Sequence, residues 1–248
     1  MVTTHDIQRP DKSLIDRFEG IGSATCAGEL KRLGVSNPFI QGPTAFTPGR
    51  KIVGPALTLQ FMPKREDEYP EGEYVEPETQ LHRHALYNTK PGDVIVVDAL
   101  GSLNSGVFGN MMLTYFHGQG GIGAIIDGCI RDYPESKNIG PGLWLKGVTP
   151  NFHTQTEMMP YAVNVPINCS GTFVKPGDII IADDDGAVVV PIQLAEELAE
   201  LAFCLLRLGS PQLRYLQRDQ ILSAVHMPES RKGKHPETAL VRHDPRGV

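Results

Sequence analysis

The sequence contains no run of 18 apolar residues, so none of it reads as a membrane-spanning helix. Its four cysteines, Cys26, Cys129, Cys169 and Cys204, lie far apart without a C-x-x-C pair. A metal clip and a disulfide framework are both poor readings of this spacing, and a reduced, intracellular chain is the better one. Aromatic residues make up 7% and Trp144 is the single tryptophan, too few for a base- or sugar-stacking surface. Basic charge is also scarce: 23 Lys and Arg stand against 29 Asp and Glu, a net charge of -6. This is the wrong sign for a protein that neutralises phosphates, so no nucleic-acid partner is expected. The opening MVTTHDIQRPDKSL has no apolar core and carries no secretory signal as it stands. The expectation is an acidic, cytoplasmic globular protein with no membrane partner.

Glycine (26) and proline (20) are plentiful in the 248 residues, above their usual combined share of about 12%. They are scattered without a period and punctuate a mixed α/β pattern. Leu14, Ile15 and Phe18 give one apolar helical face, and SATCAGELKRLG reads as a second helix stopped at Gly34. KIVGPALTLQFM reads as a strand with a bulge or edge at Gly54-Pro55. The charged stretch over 64–78 reads as an exposed loop before a helix holding Leu81, Ala85 and Leu86. DVIVVD and GAIIDG are short continuous apolar runs, the pattern of strands buried on both faces. Two Lys-Pro-Gly-Asp turns precede different segments and are similar turns rather than repeats. IIIADDDGAVVV reads as a hairpin across an acidic turn, and an amphipathic helix carrying Leu194, Leu198, Leu201 and Leu205 follows.

Chemistry is most concentrated in two strand-to-helix connections, 98–112 and 127–135. They begin at Asp98 and Asp127, at the carboxyl ends of the two buried strands. Ligands gather there because the next helix offers unpaired N–H groups and the positive end of its dipole. GSLNSGVFGNMM supplies a glycine-rich cradle for a carboxylate or phosphate. In DGCIRDYPE, Arg131 stands beside Asp132, with Glu135 three residues on. Arginine holds an anion bidentately while carboxylates hold a hard divalent cation. The plainer alternative, a surface ion pair with acidic helix capping, stays open from these residues alone. Asp183-Asp184-Asp185-Gly186 reads as a turn, not a calcium loop, because alternating ligand spacing is missing. No H-E-x-x-H, G-x-S-x-G or phosphate-loop pattern occurs.

The run GDVIVVDALGSLNSGVFGN, then 20 residues, then Arg131-Asp132, with VNVPINCSGTFVKPGDIIIADDDGAVVVP downstream, resembles the RraA-like superfamily. That group holds the class II 4-hydroxy-4-methyl-2-oxoglutarate / 4-carboxy-4-hydroxy-2-oxoadipate aldolases and the RraA proteins that regulate ribonuclease E. The resemblance implies an α/β body of the swivelling β/β/α, phosphohistidine-domain-like type. It divides the chain into an N-terminal helical extension (1–36), the body (37–210) and a C-terminal arm (211–248). It also implies a homotrimer or hexamer with sites between subunits. The implied activity is cleavage or decarboxylation of a small 2-oxo dicarboxylate with Mg2+ or Mn2+. In that scheme Arg131 and Asp132 are catalytic, with Arg131 on the substrate. Gly109, Asn110, Met111 and Met112 cradle its carboxylate, and Asp132 ligates the metal directly. Glu135, read from the residues and not implied by the resemblance, is a further candidate metal ligand. The chain departs from the pattern at Asn110, where enzymes of the group carry an acid, and at FCLLRLGSPQ, which lacks the glutamate usual there. A non-catalytic regulator or carboxylate-binding protein is the alternative.

Overall fold

The computed structural model describes residues 5–67, 80–152 and 157–207. Two helices come first, α1 (Lys12–Asp16) and α2 (Ser23–Arg32), then the short strands β1 (Phe39–Ile40) and β2 (Thr44–Ala45). The long strand β3 (Ile52–Pro63) leads to α3 (Leu81–Tyr87) and β4 (Val94–Asp98). Next are α4 (Asn110–Gly118), β5 (Gly123–Ile130), the single turn α5 (Tyr133–Ser136) and β6 (Gly142–Val148). Then follow β7 (Met158–Val163), β8 (Ile167–Cys169), β9 (Thr172–Val174), β10 (Ile179–Asp183) and β11 (Gly186–Val190). The described residues end in α6 (Ala195–Arg207).

Among the described residues, nine strands form one mixed sheet in the order β1-β11-β10-β3-β4-β5-β6-β2, with β7 also on β3. The β3–β6 portion is parallel, joined through α3, α4 and α5. The β-branched runs explain why. In β4, Val94 and Val96 enter one core cluster while Ile95 and Val97 enter another, so the strand is apolar on both faces. β10 and β11 divide likewise: Ile180 and Val189 face the second cluster, Ile181 and Val188 the third. That third cluster is where Leu14, Phe18, Leu30, Leu198 and Ala202 pack, so the N-terminal helices and α6 share one layer.

Local signals act as the chain chemistry requires. Gly34 has φ +91, and Val35 N–H reaches Leu30 O at 2.9 Å, a left-handed stop that ends α2. Both Lys-Pro-Gly-Asp turns close in one way. Gly92 and Gly177 have positive φ, and Asp93 and Asp178 accept from Lys90 N–H and Lys175 N–H.

The Gly54-Pro55 reading differs from what is found. β3 is interior and runs through that dipeptide unbroken; its irregularity lies between Gln60 and Phe61. Pro55 ends the pairing with β10 and Ala56 begins the pairing with β4, so the missing N–H falls at a handover between partners. Gly54 is needed for close approach, since a Cβ there would lie 2.0 Å from Gly92 O.

Candidate active site

The carboxyl ends of β4 and β5 shape one cavity of about 340 Å³. Its floor is the connection from β4 to α4. Val107 N–H donates to Cys129 O, and Arg131 N–H donates to Phe108 O, so this loop lies along the end of β5 like an added strand. Gly106 permits that approach, because a Cβ there would stand 2.5 Å from Asn151 O.

Arg131 and Asp132 follow directly from β5. Asp132 takes a left-handed conformation, φ 55 and ψ 36, which turns its carboxylate back toward the start of α4. Asn110 N–H donates to Asp132 Oδ2 at 3.2 Å, and Arg131 Nε lies 3.6 Å from the same oxygen. The guanidinium also sits over the Phe152 ring, 5.7 Å from its centroid. A Cβ on Gly109 would come within 2.6 Å of Asp132 Oδ2 and 3.0 Å of Arg131 Nε. Glycine therefore lets the pair lie against the helix start. Gly109→Ala is expected to displace both side chains and reduce ligand affinity about 10-fold or more, with little change in melting temperature. Calorimetric titration with a small carboxylic acid checks this, and wild-type affinity in the variant would refute it.

Gly109, Asn110, Met111, Met112, Arg131 and Asp132 all line this cavity. Met111 is 83% exposed at its mouth, while Met112 packs partly against the core. Glu135 is exposed on α5 and is not among the lining residues. His117 is likewise elsewhere, with Nδ1 3.3 Å from Gly121 O, and His153 lies outside the described residues. Sequence reasoning passed over the opposite wall, formed by His82, Arg83, Leu86 and Tyr87 of α3 together with Tyr115 of α4. The Tyr87 and Tyr115 rings meet edge to face at 5.6 Å. The one available signal was an arginine between two histidines at a helix start.

Asp98 and Asp127 stand at the strand ends as expected, but both are buried and neither lines the cavity. They anchor the loop that builds the floor. Asp98 accepts from Leu100 N–H at 3.2 Å, Asp127 O accepts from Gly101 N–H, and Lys146 Nζ pairs with Asp127 Oδ1. Burial pushes the Asp98 carboxyl above its ordinary range; Asp127 adds to this, while the Leu100 and Asn168 amides and Lys146 oppose it. Folding therefore favours the protonated form of Asp98, and stability falls as pH rises from the ordinary aspartate value through the folded one. Asp98→Asn removes that loss and keeps an acceptor for Leu100. Its stability relative to wild type should increase from pH 4 to pH 7 in urea titrations; a constant or shrinking difference would contradict the assignment.

Burial also pushes the Cys26 thiol up to about 12, and Cys129 and Cys169 are raised for the same reason, as suits apolar filling rather than reactivity.

Among the described residues, no three His, Cys, Asp or Glu side chains group closely enough to cage a metal ion. Among the described residues, Asp132 is the one carboxylate lining the cavity. A single carboxylate suits a magnesium-type ion that keeps most of its water and takes further oxygens from substrate. The Asn110 side-chain oxygen is an available neutral donor.

A small cavity at the carboxyl ends of parallel strands, with an arginine and a helix start facing it, defines an α/β protein suited to a small anionic ligand. The chain belongs to the RraA-like family (aldolase/RraA), whose profile matches residues 18–189. A Halalkalibacterium halodurans protein, provisionally named 4-hydroxy-4-methyl-2-oxoglutarate aldolase, is 36% identical over 152 residues, 61% of this chain and 65% of that protein. Protein DlpA of Legionella pneumophila is 25% identical over 75% of this chain but only 29% of its own length. The match thus spans less than two thirds of these two relatives. The crystal structure of Streptomyces coelicolor RraAS2, described as an unusual member of the RNase ES inhibitor RraA protein family, superposes with a TM-score of 0.74. It is 40% identical, and the match covers 86% of this chain and all of that one. The mixed α/β fold with its central sheet is that of the family. Among the described residues, no helix is long and apolar enough to cross a membrane.

Proposed function

We propose that this chain is a divalent-metal-dependent carbon–carbon lyase. It would cleave or decarboxylate a small 2-oxo dicarboxylate through a pyruvate enolate, as a 4-hydroxy-4-methyl-2-oxoglutarate aldolase or oxaloacetate decarboxylase does. The observation that carries this reading is the joint position of Arg131 and Asp132 against Gly109 and the start of α4. Arg131 presents a fixed fork to the substrate's carboxylate end, steadied by Phe152 and by Asp132. The N-terminal turn of α4, at Asn110, Met111 and Met112, adds backbone N–H groups and the positive end of the helix dipole. Asp132 is the residue to hold the ion, and magnesium or manganese bound there would supply the Lewis acid for the keto oxygen. Asn110 contributes an acceptor oxygen and cannot take up a proton as a base at neutral pH. A water or a neighbouring subunit's group is then needed for proton transfer.

The test is pyruvate release from oxaloacetate by metal-stripped protein, with and without Mg2+ or Mn2+, after subtracting the metal-only rate. Metal-dependent release lost in Arg131→Ala supports the lyase. The neutral Asn110 favours a second reading, a carboxylate-binding or regulatory protein of the RraA kind. That reading predicts no release under either metal, with ligand binding retained. We further propose a cytoplasmic homotrimer or hexamer whose cavities are completed between subunits. The exposed Met111, Tyr115, Leu103 and Val148 are consistent with such contacts. A 27.1 kDa monomer on a sizing column would overturn that assembly.

A further inference from the structure

The cavity holds a second arginine that the lyase reading does not use. Arg83 lines it from α3, on a different element from Arg131. Its Nε donates to Gln80 Oε1 at 2.7 Å, and Gln80 is buried, so one edge of the guanidinium is fixed by the protein. The other edge carries the two Nη groups. Among the described residues, no carboxylate lies within ion-pair distance of Arg83, whereas Arg131 already has Asp132. The wall bearing Arg83 is held to α4 by the Tyr87–Tyr115 contact, so it keeps its place relative to the helix start where Arg131 and Asp132 meet. Counting His82 as neutral, the described lining residues carry two fixed positive charges and one negative charge. A half-buried guanidinium that has no carboxylate partner among the described residues and faces a cavity sized for a small molecule is suited to a ligand's anionic group.

We propose that Arg83 is the specificity-determining residue for the second, distal carboxylate of the ligand, so that the cavity selects 2-oxo diacids over 2-oxo monoacids. This rests on the reading of the cavity as an oxo-acid site, with Arg131 taking the keto-acid end. A monoacid of equal length leaves Arg83 facing an alkyl end and loses one charge-assisted contact, while every contact at Arg131 is kept.

The experiment compares 2-oxoglutarate with 2-oxopentanoate, which has the same carbon chain but a methyl group in place of the distal carboxylate. Titration calorimetry with the full chain, at fixed Mg2+, gives both affinities for wild type, Arg83→Gln, Arg83→Lys and Arg131→Ala. Wild type should bind the diacid about 10-fold or more tightly than the monoacid. Arg83→Gln should abolish that ratio by weakening the diacid alone, Arg83→Lys should restore part of it, and Arg131→Ala should weaken both acids. Equal wild-type affinity for the two acids, or equal loss of both in Arg83→Gln, overturns the role of Arg83 and leaves the oxo-acid reading standing. Failure of wild type to bind either acid overturns the oxo-acid reading and this inference with it.

Discussion

Arg131→Ala is expected to lower turnover of a 2-oxo acid by about 10²- to 10³-fold, the usual cost of removing one preorganised donor at a reacting group. The fold should tolerate the change. The Arg131 side chain is 40% exposed, its contact with Asp132 is 3.6 Å long, and the Phe152 stacking is worth only about 0.5–1 kcal/mol. Loss of activity should therefore come with a melting temperature within a few degrees of wild type. Asp132→Asn is the companion variant, because asparagine is among the residues that best tolerate the left-handed backbone found there. It keeps the acceptor for Asn110 N–H and removes the charge. Full turnover in both variants would remove this cavity as the reacting site.

The second large effect concerns stability. Asp93 is buried and accepts three hydrogen bonds, from Arg9 Nε at 2.8 Å, Arg9 Nη2 at 2.7 Å and Lys90 N–H at 2.8 Å. Arg9 also donates to Asn88 O, which latches the N-terminal segment onto the turn before β4. Asp6 joins the group: burial pushes its carboxyl up, but hydrogen bonds from Lys90 and Arg9 outweigh this and bring it down to about 2. Asp93→Ala takes from the partly buried Arg9 guanidinium its fully buried partner, leaving it Asn88 O and the more exposed Asp6, also deprives the Lys90 amide of its acceptor, and should cost about 3–5 kcal/mol. For a unit of this size that is a fall of roughly 6–20 °C in thermal unfolding. The double variant Arg9→Met/Asp93→Leu should recover much of the loss, since an apolar pair of similar volume carries no desolvation cost. A fall below about 2 °C in Asp93→Ala would mean that solvent replaces the bridge.

Much of this molecule can be read from its sequence where the signal is local. The run VIVVD announces a strand without a wet face, and Val94 to Val97 do alternate between two cores. That Gly109 to Met112 and Arg131-Asp132 come together at one cavity is legible because parallel strands bring successive carboxyl ends together across one crossover. Asp98 and Asp127 were only half legible. Their place at the strand ends follows from sequence, but which way the last side chain points depends on register. Here both are buried, away from the cavity lining. Arg83 is marked in the sequence only by standing between His82 and His84, because its place at the cavity depends on α3 docking against α4, a contact that no spacing in the chain encodes.

β3 has one more consequence, for how the protein is made. Each described residue that lines the cavity falls between His82 and Phe152, yet β7 and β10, two of the three partners of β3, come from later residues. As the chain leaves the ribosome, the pocket's residues emerge before β3 is closed along one side. During that interval a largely buried, 12-residue apolar strand presents open N–H and C=O groups to whatever other chain is near. Nascent chains stalled before residue 158 should be the aggregation-prone species, and emergence of β7 and β10 is the step that ends their exposure.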